Sequence, residues 1–286
     1  MSAGRRVWEA KRKAAEGLLW GLAALATVAA LIPLVMVLYY VAVQGLPALN
    51  LAFFTRLPKP VGEPGGGMAN AIVGTLVLIG LASAVGLPVG LLGGIYLAEF
   101  GNNRFGWAVR FAADVLAGVP SIVVGILVWV VVVVPMRTFS ALAGGAALGI
   151  MMIPTVIRTT EELVRLVPVS QREAALALGA TQWRAVFKVV LVAAKGGVIT
   201  GVLLAIARIA GETAPLLMTA FGNRFWATGV TEPVASLPVQ IYSYAIAPYD
   251  DWHAQAWAAS LVLVLLVLIL SVAARRATKG RYRAVR

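Results

Sequence analysis

The sequence predicts an all-α, polytopic membrane protein with six transmembrane helices. Three observations carry that prediction. The 286 residues are 60% hydrophobic, against roughly 45–50% apolar for a soluble domain, and the mean hydropathy is +0.89. The apolar residues gather in six runs, at about 18–43, 70–97, 111–135, 141–157, 191–220 and 255–274, each near the ~20 residues that a spanning helix needs. Runs such as Ile126 to Val134 and Ser260 to Val272 do not alternate, so the period-two pattern of a membrane β-barrel is absent. Charge is the third observation. The net charge is +12. With the amino terminus inside, 19 of the 24 basic residues fall on inner segments and four on outer ones, with Arg208 inside a span. Cytoplasmic loops collect Lys and Arg, so the split supports six spans with both termini cytoplasmic and removes a nucleic-acid partner.

Residues 1–17 form a basic cytoplasmic arm with Arg5, Arg6, Lys11, Arg12 and Lys13. The run from Leu18 to Val43 exceeds the roughly 7–15 apolar residues of a cleavable signal, so it is read as a retained span. The first span and its outer loop occupy 18–64. Within 44–69, Pro47, Pro58, Pro60, Pro64 and Gly65 to Gly67 argue against helix. The main membrane domain then runs over 65–274. Span two carries Gly74, Gly80, Gly86, Gly90, Gly93 and Gly94; small residues let membrane helices approach closely. Span three begins near Phe111 and contains Pro120 and Ser121, expected as a kink. Asp114, four residues after Arg110, is expected to pair with it. Arg137 lies at the outer mouth, where attracting anions and anchoring at the interface are equal readings. Span four is expected to end near Pro154. Residues 158–190 are the longest inner segment, where Glu161, Glu162 and Arg165 are set for pairing along one helix surface. Residues 221–254 form the longest outer segment, and 275–286 a basic cytoplasmic tail.

Several chemistries are absent. With no cysteine there is no disulfide or thiolate site. The lone His253 makes no metal site, and no Gly-x-x-x-x-Gly-Lys-Ser/Thr loop occurs, so the chain holds no catalytic centre and binds no ATP itself.

The inner segment contains Glu173-Ala174-Ala175-Leu176-Ala177-Leu178-Gly179-Ala180-Thr181. Ser170 and Glu173 have capping-box spacing, and Gly179 suits a left-handed helix end. A helix–turn–helix follows, read either as a docking knob or as a plain surface helix. The segment resembles the EAA motif of ABC importer permeases. That resemblance implies a coupling helix seated on an ATPase subunit, through Glu173, Ala174, Ala175, Gly179 and Thr181. The two prolines that commonly follow in that family are missing from Leu191 to Gly197.

Span five carries Arg208 and Glu212. Spacing of i, i+4 places both on one helical face, and a mid-bilayer arginine costs ~2.5–3.5 kcal/mol on insertion scales. A packing pair and an anion path both fit. An arginine fork suits phosphate geometry. The stretch Ala207-Arg208-Ile209-Ala210-Gly211-Glu212-Thr213-Ala214-Pro215 resembles the signature of phosphate-specific ABC permeases. Asn70 to Leu76, Gly90 to Glu99, Gly118 to Gly125 and Ser236 to Tyr242 are similar to its PstA side. The resemblance implies a type I, MetI-like permease fold and a phosphate path through Arg208, Glu212 and Thr213, joined at the mouth by Arg137. Pro120, Ser121 and Pro215 would be kinks or gates. It also implies partners: a homologous PstC-like permease, a PstB-like ATPase dimer holding ATP and Mg, and a PstS-like phosphate-binding protein. Permeases for sulfate, molybdate or phosphonate, an ion-coupled secondary transporter and a membrane scaffold without cargo are the alternatives.

Overall fold

The structure, a computed structural model, describes residues 3–60, 63 and 65–279. Pro64 and the tail beyond Lys279 lie outside the described residues. The arm and the first span form one helix, α1 (Ala3–Gly45), of 43 residues. Glu9 to Glu16 are mostly helix formers, and Arg12 Nε donates to Glu16 Oε1 one turn later at 2.9 Å. At ~1.5 Å per residue α1 is ~65 Å long, about twice the hydrocarbon layer. Its outer end meets the body, where Tyr40 packs edge-on against Trp257 at 5.1 Å between ring centres.

Residues 44–69 depart from expectation by a 3-10 turn at Leu46–Ala48 and a short helix, α2 (Leu51–Thr55). Asn50 accounts for α2: its side-chain oxygen accepts from Phe53 N at 2.9 Å and caps the first turn.

The centre of the fold is α3 (Ala69–Glu99) packed along α7 (Ala141–Arg165). Gly86, Gly90 and Gly94 recur every four residues, so they share one face of α3. A methyl carbon at these positions would stand 2.9 Å from Met152 Sδ, 2.6 Å from Val156 Cβ and 2.5 Å from Thr160 Cβ. The glycine-rich span is therefore a packing seam, as its composition suggested. α7 does not stop at Pro154; it continues to Arg165 with Pro154 buried against its neighbours.

Span three is broken, not merely kinked. After α4 (Arg104–Gly118), the chain turns by 103° into α5 (Ser121–Val128), which continues through a π-helical turn at Trp129–Val133 into α6 (Val134–Met136). Pro120 has no N–H to donate and its ring excludes the preceding helical carbonyl. Val119 is pushed to φ −71°, ψ 131°, as residues before proline are. Among the described residues five helices are long and apolar enough to cross a membrane, and the bent pair brings the number to six where it counts as one span.

Between α7 and span five lie α8 (Val169–Ala177) and α9 (Gln182–Ala185). A π-helical turn at Val186–Val190 leads into α10 (Leu191–Ala210). Span five then breaks, and α11 (Ala214–Thr219) follows. Residues 221–254 contain α12 (Leu237–Ala245), and the last span is α13 (Asp250–Lys279). The main apolar core joins Leu78, Leu148, Met152, Val156, Ile209 and Leu216, from α3, α7, α10 and α11. It holds the break in span five against the central pair.

Candidate functional site

The first cluster surrounds that break. α10 ends at Ala210, with Gly211 N bonded to Arg208 O at 3.3 Å and Glu212 N to Ile209 O at 3.2 Å. A continuous helix is disfavoured here because the Pro215 ring would meet the carbonyl of Gly211, and Gly211 adds a weak helix former at the same place. The expected pairing of Arg208 with Glu212 on one helical face is therefore corrected. Glu212 lies past the helix end, and among the described residues neither side chain has an ion-pair partner. Arg208 is exposed, one turn beyond exposed Leu204, while Glu212 and Thr213 are half-buried. A guanidinium in the last turn of α10 also lies near the negative end of the helix dipole.

Pro215 is buried, and its Cα would be 2.7 Å from a methyl carbon placed on Gly125 of α5. The break in span five thus leans on the outer arm of the broken span three. Pro120 and Ser121 sit at the elbow of that arm. The other end of α11 is tied to the start of α7: Ser140 N donates to Thr219 O at 3.0 Å, and Phe139 stacks on Phe221 at 4.9 Å. Arg137 stands three residues before Ser140, exposed and in the left-handed region at φ 56°. Arg137 and Thr213 therefore flank opposite ends of a six-residue helix ~9 Å long.

The second cluster is the inner hairpin. Gly179 has φ +82°. Gly179 N bonds to Leu176 O at 2.9 Å and Ala180 N to Ala175 O at 3.1 Å, the paired bonds of a Schellman helix end. The expected stop at Gly179 is found. The expected capping box is not. α8 starts at Val169 after Pro168, with no side-chain cap, which puts Ser170 inside the first turn. Glu173, Ala174, Gly179 and Thr181 are exposed, with Leu178 at 89%, but Ala175 is turned inward. Four of the five expected docking residues thus share an exposed surface.

The third cluster was foreseen only in part: Glu161 pairs with Arg165 along one helix surface as expected, but its other partners were missed. Glu161 is 2% exposed and meets Arg110 Nε at 2.6 Å, Arg165 Nη2 at 2.9 Å and Arg158 Nη1 at 3.2 Å. Asp114 pairs with Arg158 at 2.9 Å, not with Arg110. Leu97 O, in the last turn of α3, accepts from Arg110 Nη2 at 2.9 Å and from Arg165 Nη2 at 3.3 Å. Arg172 of α8 reaches Glu99 Oε1 at 2.8 Å. The inner end of α3 is a hub for α4, α7 and α8. The local signal was present, since charges at span ends are readable, but partners 51 and 73 residues apart are not. Among the described residues no group of His, Asp and Glu could hold a metal ion.

The family described as binding-protein-dependent transport system inner membrane component matches residues 90–280. The phosphate transport system permease protein PstA of Yersinia pestis is 47% identical over 243 residues, covering 85% of this chain and 82% of that one. The chain belongs to the PstA-like ABC permease family. The PstA protein of Haemophilus influenzae is 42% identical and spans 92% of this permease and 94% of its own length. A probable PstA of Methanocaldococcus jannaschii is 40% identical over 254 residues. The fold agrees. An inward-facing MetNI methionine ABC transporter superposes with a TM-score of 0.59 at 21% identity, over 74% of this permease and 92% of that chain. A bacterial alginate ABC transporter superposes with a TM-score of 0.64 at 17% identity, over 96% and 99%. The permease is a multi-pass inner-membrane protein with the expected type I, MetI-like fold.

Proposed function

We propose that this permease is the membrane subunit of an ATP-driven importer that carries inorganic phosphate across the cytoplasmic membrane into the cell. One observation carries the reading: Arg208 ends a spanning helix exposed and without an ion-pair partner among the described residues. Toward lipid such a charge costs ~2.5–3.5 kcal/mol. Facing a path shared with a second permease subunit, it meets water and an anion instead. Its planar fork matches two phosphate oxygens. Glu212, just past the helix end, keeps the empty site near neutral, so the anion is not held too tightly to leave. Thr213 offers a hydroxyl beside it, and Arg137 draws anions to the outer mouth.

The likeness to named phosphate permeases at 40–47% identity supports phosphate over sulfate, molybdate or phosphonate. Membership of a binding-protein-dependent family disfavours an ion-coupled secondary transporter. The partners this reading requires are a PstC-like permease completing the path, a PstB-like ATPase dimer with ATP and Mg under the α8–α9 hairpin, and a PstS-like phosphate-binding protein outside. The 19:4 division of basic residues supports both termini on the cytoplasmic side. Binding of ATP would move the hairpin, and the Gly125–Pro215 contact is where two broken spans can shift against each other.

The test is uptake of radiolabelled phosphate by cells carrying the assembled complex, with sulfate and molybdate as competitors. Uptake should resist both competitors and vanish in Arg208→Ala while the complex still co-purifies. Normal uptake by that variant removes Arg208 from the path. Strong competition by sulfate reassigns the cargo.

A further inference from the structure

We infer that Arg172 is a positioning residue that fastens the ATPase-facing helix α8 to the inner ends of α3 and α7, so that displacement of the hairpin moves the central helix pair. The inference rests on the importer reading above.

The guanidinium bonds to α3, to α7 and to the turn before α8. Nε donates to Glu99 Oε1 at 3.1 Å and Oε2 at 3.3 Å, and Nη2 to Glu99 Oε1 at 2.8 Å. Nη2 also donates to Val164 O at 2.9 Å, in the last turn of α7, and Nη1 donates to Val167 O in the turn leading to α8. Val164 O also accepts from Val167 N at 3.2 Å, so the arginine adds a second bond to the carbonyls that shape the turn between α7 and α8. The pair is largely shielded, at 19% exposure for Arg172 and 8% for Glu99. Among the described residues, the polar links from α8 to the ends of α3 and α7 all run through this side chain. The rest of α8 is exposed except Ala175, which is turned inward.

The other arm of the hairpin is built differently. α9 runs through the π-helical turn Val186–Val190 directly into α10, the helix that ends in Arg208. One arm is bolted to α3 and α7; the other is continuous with the helix of the anion path. A stroke at the Gly179 turn is thus divided between two bodies. Without Arg172, α8 would keep only its apolar packing through Ala175 against the second arm of the hairpin, and the stroke would not reach α3 and α7. Lysine cannot replace it, because a single ammonium lacks the fork that spans carboxylate and two carbonyls.

The experiment measures phosphate moved per ATP hydrolysed by the assembled complex in proteoliposomes. Wild type should show coupled uptake. Arg172→Ala should keep ATP hydrolysis and co-purification while the ratio falls about tenfold or more, as a ~1 Å misplacement can cost. Arg172→Lys should fall between. Should Arg172→Ala fail to assemble, Glu99→Gln decides, since it keeps shape and an acceptor but removes the charge; its ratio should fall severalfold. An unchanged ratio in an assembled variant, or failure of both variants to assemble, overturns the latch. A wild-type complex that moves no phosphate overturns the importer reading itself, and the latch with it.

Discussion

The two ends of the permease treat arginine in opposite ways. At the inner end, Arg110, Arg158, Arg165 and Arg172 are tied to Glu161, Asp114, Glu99 and helix-end carbonyls. At the break in span five, Arg208 ends α10 exposed, with no ion-pair partner among the described residues. Both sets belong to an otherwise apolar molecule, so solvation alone does not separate them. What separates them is whether the charge is matched inside the chain. A matched cluster fixes helix ends to each other. An unmatched charge at a helix break is left for something outside the chain, an anion or a second subunit. The same side chain is structural in one place and functional in the other.

Four substitutions grade the contrast by their effect on stability. Glu161→Gln leaves three arginines around a neutral group. Removing one partner of a buried charge cluster costs about 3 kcal/mol or more, visible as a large fall in the thermal midpoint of the detergent-solubilised complex. A small shift there would mean that water already shares the arginines. Gly94→Val comes next. It drives a branched side chain into Thr160, and overpacking of this kind costs about 1–3 kcal/mol. Loss of folded protein in size-exclusion profiles checks it, and Gly80→Ala is the control, since nothing lies within 4 Å of a methyl carbon there.

Gly179→Ala is smaller. A methyl carbon meets nothing within 4 Å there, so the cost is the left-handed backbone alone, about 1 kcal/mol. It should loosen the hairpin, seen as faster proteolysis at 178–182, with the thermal midpoint nearly unmoved. A bulky residue at 179 should further weaken ATPase association; unchanged association and transport would count against the docking role. Arg208→Ala is smallest of all. It breaks no ion pair in the chain, so stability should change by less than about 0.5 kcal/mol, yet phosphate uptake should be abolished. A strongly destabilised Arg208→Ala would show the contrast between the two regions to be false.

The sequence foretold what depends on neighbours in the chain. Apolar runs marked the spans, the glycine content of span two marked a closely packed helix, and Gly179 marked the end of α8. It misled where one local rule overrode another. Spacing placed Arg208 and Glu212 on a shared face, but Pro215 and Gly211 had already ended the helix. Ser170 and Glu173 had the spacing of a cap, but Pro168 started the helix two residues earlier. The sequence was silent on pairs made only by folding. Glu99 and Arg172 are 73 residues apart, and no periodicity relates them.

Among the described residues, the apolar clusters of the body contain none before Ala48. The long first helix therefore behaves as an outrigger, lashed to the hull near Tyr40 and Trp257. Shortening it from its inner tip should leave the hull watertight, and a fluorescent protein fused there would ride along without disturbing the cargo hold.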